Sequence, residues 1–70
     1  MKMYVWTPDG HGQLSFFVMA ESKAIAKKQV DTYIKESKQE HMGYYADGWG
    51  TSYYELEEVE PLQVYTHVND

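Results

Sequence analysis

Seventy residues with no cysteine, a net charge of −5 and eleven aromatic side chains describe one small domain with neither disulfides nor thiolate metal sites. A chain this short buries only about 60–65% of its unfolded surface, so it needs dense packing or a second subunit to be stable. The acidic balance disfavours nucleic acid and anionic membranes as partners.

The charge is unevenly placed. All six basic residues are lysines, and five of them (Lys23, Lys27, Lys28, Lys35 and Lys38) fall between residues 21 and 40. Beyond residue 40 there is no Lys or Arg, while Asp47, Glu55, Glu57, Glu58, Glu60 and Asp70 are all acidic. A basic surface on another protein is the complement of that half.

In chain order, KMYVWT over residues 2–7 is β-branched and aromatic and predicts a strand. Pro8, Asp9, Gly10 and Gly12 make a turn. QLSFFVMA over 13–20 predicts the second strand of a hairpin. Leu14, Phe16, Val18 and Ala20 fall on one face and Ser15, Phe17 and Met19 on the other.

Ser22 is placed to cap a helix running from Lys23 to about Glu40. Ala26, Val30, Tyr33 and Ile34 recur at helical spacing as one apolar stripe, continued by Ser37. Lys27, Asp31 and Lys35, four apart, are expected to pair weakly on the wet side. Residues 41–50, with three glycines and no helical period, read as a loop. Residues 51–59 and 62–68 predict two more strands, separated by Pro61. The expected fold is α+β, with element order ββαββ: a four-stranded, mostly antiparallel sheet with the helix on one face. The opposite face would carry Phe17, Met19, Tyr65, Met3 and Val5, an apolar surface of the kind that marks an interface. Phe17, Met19 and Tyr65 are therefore the candidate homodimer contacts.

Catalytic chemistry finds little support in the residues. His11, His41 and His67 lack ligand spacing, so no metal is expected. Ser15, Ser22, Ser37 and Ser52 lie in no nucleophile elbow. The two glycine-rich stretches are not followed by a helix N-terminus or a Lys-Ser/Thr pair, so no nucleotide cofactor is expected. Glu55, Glu57, Glu58 and Glu60 could form a carboxylate pair only in a cleft for which the domain has little room. Glu55 and Glu57 share a face, normally the solvated one, where acids also guard a strand edge.

The segment GYYADGWGTSYY (43–54) sets Tyr44, Tyr45, Trp49, Tyr53 and Tyr54 among small residues, with Asp47 and no positive charge. Antibody binding loops share that composition, because aromatic rings give contact area at low entropy cost. Alternatively, the rings close one end of a small core. Stacking on single-stranded nucleic acid would require interleaved basic residues.

The hairpin-to-helix junction VMAES (18–22), the KAIAKKQV that follows it, and the short closing strand pair after Glu55 resemble small orphan proteins of bacteriophages and other mobile elements. Some type I anti-CRISPR inhibitors are similar in size, in the AES-to-helix junction and in the sheet-plus-helix fold. The resemblance implies inhibition of a host protein by surface binding, and it carries no functional residue across. The expectation is thus a cytoplasmic, non-enzymatic protein-binding domain. Its partner would have a basic, nucleic-acid-binding surface, with no direct nucleic acid and no membrane. Tyr44, Tyr45, Asp47, Trp49, Glu55, Glu57 and Glu58 form the candidate binding surface. The alternative is a structural or regulatory homodimeric adaptor.

Overall fold

The computed structural model describes residues 1–10, 13–39, 42, 45 and 53–66. Its elements are β1 (Lys2–Pro8), β2 (Phe16–Ala20), α1 (Lys23–Glu36) and β3 (Tyr54–Val59). Among the described residues the sheet is three-stranded and antiparallel, in the order β2-β1-β3. The hairpin and the α+β class are as expected.

A fourth strand is not among the described elements. Residues 62–66 carry no strand pairing, and 67–68 lie outside the described residues. The reason begins at Pro61 and Leu62. Gln63 N–H donates to the Glu60 carbonyl (3.1 Å), and Leu62 adopts φ 68°. A proline followed by a left-handed residue is the pattern of a type II turn. It turns the chain after β3, and residues 62–66 lie off the ladder. Leu62 and Val64, expected in a strand, are largely exposed.

Ser22 caps α1 as expected, its Oγ accepting from Ile25 N–H (3.3 Å). The helix stops at Glu36 rather than near Glu40. Lys38 N–H donates to the Lys35 carbonyl and Gln39 N–H to the Ile34 carbonyl, with Lys38 at φ 60°. This is a Schellman ending, with lysine where glycine is usual. Ala26, Val30 and Ile34 are buried against the sheet. Tyr33, placed in the same stripe, is half-exposed and meets Phe16 edge-on at 6.1 Å. Lys27 pairs with Asp31 at 3.5 Å.

Residues directly opposite in a ladder share a face. Trp6 lies between Phe16 and Leu56, and Tyr4 between Val18 and Glu58. These residues, with Ala20 and Tyr54, turn toward the helix. Leu14, expected among them, precedes β2 and stays exposed. The core is aromatic: Tyr4, Trp6, Phe16, Tyr45 and Tyr54 are all buried, with Phe16 5.7 Å from Tyr54 and 5.9 Å from Tyr45 between centroids. Aromatic pairs at such distances add to the burial itself. Aromatic rings thus fill much of the core.

The second face carries Met3, Val5, Phe17, Met19, Glu55, Glu57 and Val59. It is not open. Val5 and Val59 are buried, although neither belongs to the helix-side core. The segment after β3 returns to this face. Tyr65 meets Phe17 edge-on at 6.1 Å, and Phe17 and Glu57 are the ladder partners on either side of Val5. Pro61, Leu62 and Gln63 border a hollow of about 180 Å³ with Met3 and Met19.

Candidate functional surfaces

The two outer strands differ in chemistry. β3 carries Glu55, Glu57 and Glu58, all exposed, and exposed Glu60 follows it. The pleat splits this acidic set. Glu55 and Glu57 lie on the second face, opposite Thr7 and Val5, while Glu58 lies opposite Tyr4 on the helix face. The acids therefore straddle the edge rather than forming one patch. Lys2 sits 3.3 Å from both Glu58 and Glu60. Its hydrogen bonds to Glu58 and then Glu60, followed by their charges, hold the ammonium above the usual lysine range. Burial, and secondarily the Glu57 charge, push the Tyr65 phenol up.

β2, the other outer strand, has no charge between residues 13 and 20. Phe17 and Met19 are 52% and 58% exposed. Between β2 and α1 runs a groove of about 320 Å³, lined by Leu14, Phe16 and Val18 on one side and Gln29, Val30 and Tyr33 on the other. Ile25, Gln29 and Tyr33, four apart, form one exposed helix stripe. This edge went unrecognised from sequence, although the uncharged run QLSFFVMA was its signal.

Of the expected aromatic contacts, Tyr45 is a core residue, 5% exposed, and cannot anchor a partner from the surface. Its ring packs on Phe16 and Tyr54. Tyr44, Asp47 and Trp49 lie outside the described residues, as do His11, His41 and His67. Tyr53 is half-buried, its hydroxyl donating to Gln13 Oε1 at 3.0 Å. Tyr65 is half-buried over Phe17, so the expected dimer trio is partly an intramolecular contact.

Among the described residues no group of three His, Asp or Glu side chains gathers as metal ligands, and no polar or charged residue is buried. No helix among them is long and apolar enough to cross a membrane. The chain matches no known protein family, no curated protein and no solved structure.

Proposed function

We propose that the chain is a non-enzymatic protein-binding domain that docks a basic surface of another protein through its β3 edge. The observation that carries this reading is the exposure of Glu55, Glu57 and Glu58 on an outer strand, where their carboxylates project from both faces. Lys2 offsets one of these charges and leaves the edge acidic. A groove lined with Lys and Arg, such as a nucleic-acid channel, is its electrostatic complement. Occupying such a groove would exclude the nucleic acid, which is the action of an inhibitor encoded by a phage or other mobile element against a defence or nucleic-acid-handling protein of its host. Cytoplasmic localisation follows from that role. Asp47, with Tyr44 and Trp49 as short-range anchors, completes the proposed surface.

The test is capture of the partner from the native host, followed by binding measured against ionic strength. Glu55→Lys with Glu57→Lys, which leaves the Lys2–Glu58 pair in place, should slow association. Wild-type binding should weaken steeply with salt. A complex indifferent to salt and to these changes, but lost with Tyr44→Ala or Trp49→Ala, would instead support a structural or regulatory adaptor.

A further inference from the structure

We infer that the edge of β2 turned away from β1, which pairs with no strand among the described residues, is a self-association edge. Two copies join β2 to β2, antiparallel, about a two-fold axis at Val18. The result is one continuous sheet of twice three strands, with both helices on the same face.

An outer strand offers a row of free N–H and C=O groups, and proteins commonly guard such edges with charge, proline or a covering segment. β3 is guarded by its glutamates; Phe16–Ala20 has neither charge nor proline. Two copies, each at −5, meet there with no like charges opposed at the contact, because residues 13–20 and the flanking stripe Ile25, Gln29 and Tyr33 are uncharged. Joining β3 to β3 would set glutamates against glutamates.

The register is self-complementary. About Val18, Phe17 faces Met19 of the second copy, twice, and Phe16 faces Ala20. A ring thus meets a thioether on one sheet face, and a large side chain meets a small one on the other, both favourable cross-strand pairs. The hydrogen bonds also match. β1 uses the groups of alternate β2 residues and leaves the remaining ones pointing outward. An axis at Val18 pairs residues of the same parity, so whichever set points away from β1 meets its own kind. A two-fold interface of this sort closes after two copies.

The occupant is a second copy, so the test uses the protein alone, and its failure is separable from failure of the acidic-edge reading. Sedimentation equilibrium from micromolar to hundreds of micromolar should give twice the 8.2 kDa chain mass at the upper end. Phe17→Lys with Met19→Lys sets like charges across the axis and should abolish the dimer with an unchanged circular dichroism spectrum. Phe17→Lys with Met19→Glu sets opposite charges there and should retain it. In an antiparallel pair the self-opposed Cα atoms stand about 4.5–5.5 Å apart, within disulfide reach. Val18→Cys in this cysteine-free chain should therefore oxidise to a covalent dimer, and Thr32→Cys on the wet side of α1 should not. A chain that stays at 8.2 kDa throughout overturns the inference. So does a dimer that survives the double lysine substitution, or one in which Val18→Cys fails to cross-link. A monomer that takes up extended apolar peptides along β2 also overturns it, in favour of a foreign strand.

Discussion

The hydroxyl of Tyr54 donates to the backbone carbonyl of Leu14 across 2.7 Å, tying the start of β3 to the residues just before β2. Tyr45 Oη, 3.3 Å from Tyr54 Oη, accepts from Leu14 N–H at 3.4 Å. Tyr54 has one proton, and a carbonyl can only accept. In the pair of hydroxyls Tyr45 is therefore the donor, and the bonds close a ring through both backbone groups of Leu14. Tyr54→Phe leaves the carbonyl without its partner and should cost about 1–2 kcal/mol. Tyr45→Phe should cost less, because its bond to Leu14 is long. The double substitution should fall short of the sum, since the ring is already broken. Urea unfolding of the three variants measures the coupling.

Gly10 lies against the Tyr53 hydroxyl so closely that a Cβ would collide with it. Gly10→Ala should destabilise the fold by roughly 1 kcal/mol or more, as overpacking does. Tyr53→Phe alone loses the bond to Gln13 and should cost a little. Combined with Gly10→Ala it should recover part of the loss, because the colliding atom is gone. Thermal unfolding of the cycle would exclude this account if the two losses simply added.

Lys38 and Leu62 both sit at positive φ, at 60° and 68°. Both are exposed, so neither gives up packing on substitution. Left-handed backbone costs an L-residue with a Cβ roughly 1–2 kcal/mol. Lys38→Gly and Leu62→Gly should each stabilise the protein by about 0.5–1 kcal/mol after the entropy cost of glycine in the unfolded chain. A lower midpoint in either case would contradict the turn geometry.

Ala26 is fully buried between α1 and the sheet. Ala26→Leu should cost about 1–3 kcal/mol, because the added atoms have no space without displacing packed core side chains. Chemical denaturation checks this directly, with an unchanged slope expected if the unfolded state is unaffected.

Alkaline pH should weaken the fold. Tyr65 is held above the ordinary phenol range by burial and then by Glu57. A raised value means the folded state keeps a proton that the unfolded state releases first. The resulting stabilisation is complete below the ordinary phenol range and is lost as pH rises through the raised value. Lys2, raised by Glu58 and Glu60, acts in the same direction. Glu57→Gln should bring the Tyr65 titration down, read as the ultraviolet difference between proteins with and without Tyr65→Phe. A titration of Tyr65 that Glu57→Gln leaves unmoved would count against the contact.

Local chemistry was legible in the sequence. The β1–β2 hairpin, the Ser22 cap and the buried stripe Ala26, Val30 and Ile34 follow from propensity, capping and period, all of which act between near neighbours. The acidic, lysine-free second half and the uncharged run at 13–20 are also plain in the residues. The tertiary structure decided where those runs lie. Only the strand order shows that the acidic run and the uncharged run form the two opposite edges of one sheet. Only the register shows that Glu58 lies on the helix face and Glu55 and Glu57 on the other. Tyr45 has the composition around it of a binding loop, yet the space beside Phe16 and Tyr54 takes it inward. The alternation after Pro61 reads as a strand, yet residues 62–66 pair with no strand, and Tyr65 packs on Phe17 across the second face. A pattern of period two states which residues share a face. It does not state what lies beyond that face, because that depends on contacts between segments far apart in the chain.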